Sequence, residues 1–169
     1  MAKPNWRKPL FILSIAFYLY CSIWSANATF RYEPFCKKLG AGVGGSMSRL
    51  EKDSFTYSVH KPPFLSFTGN LGISEYITIS SDSPNVTSVD LLIWPRGIND
   101  YEVGVGIIET TINTDNQSSH SICTQMMLDE NMNLLDDTPE NRELYEQNLD
   151  KIENLYHLAY EMWGILGAE

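Results

Sequence analysis

The densest set of potential ligand atoms in this 169-residue chain lies between Asp129 and Glu140. Asp129, Asn131, Asn133, Asp137 and Glu140 fall at positions 1, 3, 5, 9 and 12 of a calcium loop, and a helix is expected to follow, as in an EF-hand. Hard oxygen donors at that spacing can wrap one cation. Two positions break the pattern: Leu134 stands where the sharp turn wants glycine, and Asp136 where a hydrophobic residue belongs. No helix is expected before the loop either. A solvated turn leading into a helix cap is therefore the first reading, calcium is the weaker one, and no cofactor is expected.

Sulfur and imidazole offer a second chemistry. His120-Ser-Ile-Cys123 has an H-x-x-C spacing, but a metal site needs three or four ligands, and only His60 and His157 remain to supply them. A disulfide between Cys36 and Cys123 is the stronger expectation if the chain is exported. It would close a loop of 88 residues, constraining the unfolded chain by at most about 4–5 kcal/mol in the entropic account. Gly40, Gly42 and Gly45 spell G-x-G-x-x-G, yet Phe35-Cys-Lys-Lys38 precedes them where a dinucleotide site demands a hydrophobic strand. A helix end or loop fits better. There is no Gly-x-Ser-x-Gly elbow, and acids are too abundant for any two to mark an acid/base pair. Catalytic residues are accordingly not assigned.

Charge gives a third candidate. Nine acids lie between Asp129 and Glu153, against Arg142 and Lys151 alone. On one helix Glu143, Glu146, Asp150 and Glu153 would share a stripe distinct from the apolar seam. That stripe is the candidate surface for a basic protein partner, a role in which rim charges mainly speed association. The alternative is a solvated face. Asn85-Val-Thr87 and Asn116-Gln-Ser118 are glycosylation sequons in expected loops.

The elements that position these residues follow from periodicity. Thr29 to Leu50 reads as a short helix ending in the glycine-rich stretch. Period-two segments then begin near Phe55, Ile73, Thr87, Tyr101 and Ser121, which predicts five antiparallel strands in a meander. Val89, Leu91 and Ile93 should face inward, as should Tyr101, Val103, Val105 and Ile107. Gly104 and Gly106, opposite them, suggest a bulge or a close backbone approach. Thr138 and Pro139 should start a helix whose apolar residues, from Tyr145 to Leu166, recur at alternating spacings of four and three. The predicted class is α+β: a five-stranded antiparallel sheet, a short N-terminal helix and one long C-terminal amphipathic helix packed on the sheet.

The first 28 residues resemble a cleaved signal peptide. Lys3, Arg7 and Lys8 precede an apolar run from Leu10 to Trp24, and Ser25-Ala26-Asn27-Ala28 ends in a small-x-small cleavage pattern. An anchor is the competing reading, but 15 apolar residues fall short of the ~20 that span a bilayer. One domain, 29–169, is expected to remain, in the periplasm or secreted and without membrane contact. Its nine basic residues face 21 acidic ones, a balance of −12. So acidic a surface argues against nucleic acid as partner. The leading expectation is a small exported binding or inhibitor protein, with the general profile of immunity proteins and hydrolase inhibitors. The alternative is a small secreted hydrolase or ligand-binding domain with a pocket between sheet and helix.

Overall fold

The computed structural model describes residues 7–40, 45–76, 85–97, 99–113, 118–129 and 131–167. Alternating apolar residues build an open antiparallel sheet of six strands in simple sequential order: β1 (Met47–Lys52), β2 (Phe55–His60), β3 (Asn70–Glu75), β4 (Asn85–Pro95), β5 (Tyr101–Asn113) and β6 (Ser118–Leu128). The registers put Val59, Leu71 and Ile93 in line across β2, β3 and β4, and Leu91, Val105 and Met126 across β4, β5 and β6. All six are essentially inaccessible. Val89, Val103 and Ile107 are buried as their alternation predicts.

The sixth strand corrects the sequence reading. Met47 to Leu50, the end of the segment read as a short helix with a glycine-rich stretch, belong to β1 instead. Lys52 pairs with Phe55, so the hairpin turns on two residues, Asp53 (φ 52°) and Ser54 (φ 68°). A two-residue hairpin requires left-handed backbone of this kind, and here it forms without a glycine. The glycines of β5 are also placed differently. The strand pairs without interruption on both sides, and a Cβ on Gly104 would come within 2.9 Å of the Trp94 ring. The close approach is thus an indole ring lying over the strand, with no bulge.

Two helices follow the sheet where one was expected. Thr138 caps α3 (Pro139–Gln147), its hydroxyl accepting the Asn141 N–H at 3.2 Å. The chain then breaks at Asn148 (φ −116°, ψ 12°), and α4 (Leu149–Trp163) begins. The Asn148 side-chain amide donates to the Leu144 carbonyl at 2.9 Å, a local bond that competes with the helical ladder. Helix α4 lies across β4 and buries Ile152, Leu155, Tyr156, Ala159 and Trp163.

At the other end, α1 (Arg7–Asn27), a π-helical turn (Ala28–Tyr32) and α2 (Glu33–Lys38) run on as one helix, which Gly40 (φ 71°) terminates. The wider π turn resets the helical face. From its last residue onward Tyr32 and Cys36 are wholly buried in the core, and above it most apolar side chains of α1 are exposed. The Glu33–Lys61 ion pair (2.6 Å, both side chains largely buried) and the Lys38 ammonium on the Trp163 carbonyl (2.6 Å) tie α2 to the rest of the domain.

Candidate functional site

Of the calcium-loop residues, Asp129, Asn131 and Asn133 are drawn together by hydrogen bonds, and Asp137 is held elsewhere. The Asp129 carboxylate accepts the backbone N–H groups of Asn131 and Asn133, both at 2.8 Å, and the Asn133 side-chain amide at 2.7 Å. These bonds, that of the Asn133 side chain first, hold its pKa below the ordinary carboxylate value. Asp137 grips the Arg142 guanidinium through both oxygens, which likewise lowers its pKa. Glu140 is exposed in the first turn of α3. Among the described residues no three His, Cys, Asp or Glu side chains are arranged to hold a metal ion.

His120 and Cys123 also fail to converge, because residues three apart on a strand point to opposite faces. Cys123 is exposed on the sheet face away from the helices, opposite Ile108, whereas Cys36 is buried in α2 on the covered face. The sheet separates the two thiols, and the Cys36–Cys123 bridge expected from the sequence is not formed in this structure. Asn85 is exposed at the start of β4; Asn116 lies outside the described residues.

The acidic stripe is divided by the break at Asn148: Glu143 and Glu146 sit on α3, Asp150 and Glu153 on α4, all four exposed. The nearby cations are committed elsewhere, Arg142 to Asp137 and Lys151 to Glu75 (3.1 Å) and the Thr87 carbonyl (2.7 Å). Among the described residues none of the four acids has an ion-pair partner of its own.

Glu153 also lines a solvent-open cleft of about 1060 Å³ between α4, the turn joining β4 to β5, and the loop after β6. Tyr101, Tyr156 and Tyr160 line it too, with His157 at the rim, 3.2 Å from Glu161. The Tyr156 hydroxyl donates to the Asp129 carbonyl (3.2 Å) and the Tyr145 hydroxyl to the Met132 carbonyl (2.8 Å), clamping the Asp129 loop as one wall. Burial pushes the Tyr156 hydroxyl far above the ordinary tyrosine value, and Tyr145 and Asp129 add to the shift. It therefore stays neutral and structural. Tyrosine rings beside the Glu153 carboxylate suit a lysine or arginine side chain, which can use charge and ring together.

Sequence reasoning missed this cleft because its tyrosines share the periodicity of the core. The i,i+4 pair Tyr156 and Tyr160, flanked by Glu153, His157 and Glu161, was the available signal. It also passed over the loop between β2 and β3, Pro62-Pro-Phe-Leu-Ser-Phe67, whose three large apolar side chains are exposed. No family model matches this chain, and neither a curated protein nor a solved structure resembles it significantly.

Proposed function

We propose that the domain beyond Ala28 is a binding protein that takes a basic segment of a protein partner on the far side of a membrane. The observation that carries this reading is the tyrosine-lined cleft with the exposed Glu153 carboxylate on its wall, on the same pair of helices that expose Glu143, Glu146 and Asp150. Charge of one sign around an aromatic recess steers a cationic segment towards it and gives its side chains a place to stack. The −12 balance beyond residue 28 works in the same direction. A small-ligand site is the less favoured reading, since the cleft is open to solvent rather than enclosing.

The test begins with affinity capture from the envelope of an exporting cell. Association of the captured partner is then compared between the unmodified chain and a variant carrying Glu143→Gln, Glu146→Gln, Asp150→Gln and Glu153→Gln. Association at low salt should slow by roughly tenfold or more in the variant and lose most of its salt dependence. Identical rates and salt slopes would show the carboxylates to be solvation only.

A further inference from the structure

The Ser25–Ala28 cleavage pattern lies inside a helix. From Lys8 the backbone stays helical through Ala28 and on to Lys38, and the last two turns carry Tyr32 and Cys36 into the core. Proteases favour exposed loop tips, and here the candidate bond is wound into the element that ties the N-terminus to the fold. The same continuity supplies the length that the sequence reading lacked. No charged residue occurs in the 22 residues Pro9–Phe30, which as helix span about 33 Å, enough for the ~30 Å hydrocarbon layer. The apolar side chains of this helix face outward, with Leu10, Phe11, Ile12, Leu13 and Phe17 each more than half exposed. Lys3, Arg7 and Lys8 cluster at one end, as at a cytoplasmic boundary.

A second element joins it. The nine residues Pro62–Asn70 carry no charge, and their loop packs along the domain-proximal half of α1. Phe64 meets Phe17, Tyr20 and Trp24 edge-on, with ring centroids 6.4, 6.4 and 5.5 Å apart, and Phe67 meets Tyr20 at 5.6 Å. The Trp24 indole donates to the Pro63 carbonyl (3.1 Å) and the Asn27 amide to the Phe67 carbonyl (3.0 Å). Ser66 Oγ accepts the Thr68 N–H at 3.2 Å, and the Ser66 N–H reaches the Pro63 carbonyl at 2.9 Å. These bonds satisfy the Pro63 and Phe67 carbonyls and the Ser66 and Thr68 N–H groups, so fewer polar groups of the loop call for water. At its tip Leu65 is held at φ 72°, a strained conformation for a bulky residue, and is 70% exposed. In water such a display of Phe64, Leu65 and Phe67 is only a liability.

We propose that α1 is retained as a bilayer-spanning anchor, and that the Pro62–Asn70 loop inserts Phe64, Leu65 and Phe67 into the outer leaflet beside it. Trp24, towards the domain end of the span, then lies nearest the interface where such rings collect, and Tyr20, Phe64 and Phe67 extend the cluster inward from it. Because the helix enters the core without a flexible linker, the domain is held at one fixed tilt to the membrane. This replaces the expectation of cleavage after Ala28 and a domain free of the membrane. It does not depend on what the acidic cleft binds.

The test uses the full chain expressed with its own N-terminus in an exporting host. The protein should stay in the membrane fraction after alkaline carbonate, and its intact mass should include residues 1–28. A mature N-terminus at Thr29, or release by carbonate, overturns the anchor. For the loop, Leu65→Cys and Asp53→Cys variants in phosphatidylcholine–phosphatidylglycerol vesicles are treated with a membrane-impermeant maleimide and mapped by peptide mass. Both sites are exposed in the protein itself. The thiol at position 65 should react roughly tenfold or more slowly than that at 53, since the reactive thiolate is disfavoured in hydrocarbon. Equal rates would place the loop in water and overturn its insertion.

Discussion

Helix α4 turns Ile152, Leu155, Ala159 and Trp163 to the sheet and Asp150, Glu153 and Glu161 to solvent, whereas α1, covered only by the Phe64–Phe67 loop along its domain-proximal half, leaves most of its apolar residues exposed. The two helices use similar aliphatic and aromatic residues and differ in charge spacing. Acids recur every turn or so along α4, while α1 has none between Lys8 and Arg31. A helix with one apolar stripe is stabilised by the layer beneath it. A helix apolar on every side is stabilised by a surrounding that is itself apolar. The contrast shows that α4, α2 and Tyr32 of the π turn complete the core of this domain over the sheet, and that no described residue of α1 is buried in it.

Removing a large side chain from each helix sharpens that contrast most. Trp163 is 3% exposed and sits edge-on to Tyr57 at a 6.1 Å centroid distance. Trp163→Ala should lower the unfolding free energy by about 3–5 kcal/mol, the usual range for a buried aromatic. Ile12→Ala should change it by less than about 0.5 kcal/mol. Urea unfolding of the full chain in vesicles checks both, and a comparable loss at Ile12 would break the comparison.

The joint between the regions comes next. The Tyr32 hydroxyl accepts the Gly69 N–H at 2.8 Å, and a Cβ at position 69 would lie 2.1 Å from the His60 carbonyl oxygen and 3.0 Å from the Tyr32 ring. Gly69→Ala should therefore cost about 1–3 kcal/mol through forced backbone movement, read as a fall in melting temperature. An unchanged melting temperature would mean that the loop is not clamped to the helix.

The smallest effect concerns the sheet face away from the helices. Burial raises the Asp90 pKa above its ordinary value; the Ser74 hydroxyl opposes this and Glu75 adds to it. The folded state thus holds the proton more tightly than the unfolded chain. Asp90's contribution to stability declines as pH rises from the ordinary carboxylate value through the raised one, and is constant above that. Asp129 has the opposite sign: its contribution is present above the ordinary value and fades as pH falls through its lowered pKa. Asp90→Asn should stabilise the protein at neutral pH by no more than about 1 kcal/mol and remove that decline. Unfolding measured at a series of pH values decides it, and a variant less stable than the parent at neutral pH would contradict the assigned sign.

What the sequence disclosed depended on whether a signal was local. Val89, Leu91 and Ile93 alternate cleanly, and Thr138-Pro139 is a cap written in adjacent residues, so both were legible. β1 was not, because Arg49, Glu51 and Lys52 give it little apolar alternation and Asp53-Ser54 is not the glycine-bearing turn that announces a hairpin. The break at Asn148 was invisible to periodicity, since the spacings of four and three run straight across it. The acidic candidates were legible as charges, but their division between two helices was not. The cleft depends on the meeting of α4 with the turn between β4 and β5, which no local pattern records.

The sheet is open, and its two margins are unlike. β1 carries Arg49, Glu51 and Lys52, charges that discourage another strand from pairing there. At the other margin the Asp129–Leu135 segment folds back on the end of β6, with the Leu135 N–H on the Met127 carbonyl at 2.9 Å and a bridge between Leu128 and Leu134. From Ser119 to Met126 no strand among the described residues pairs on that margin, and the stretch has no Asp, Glu, Lys or Arg. When copies of the chain are crowded together, edge-to-edge association meets its least resistance along β6, and a single charged residue on that stretch would be the simplest guard against aggregation.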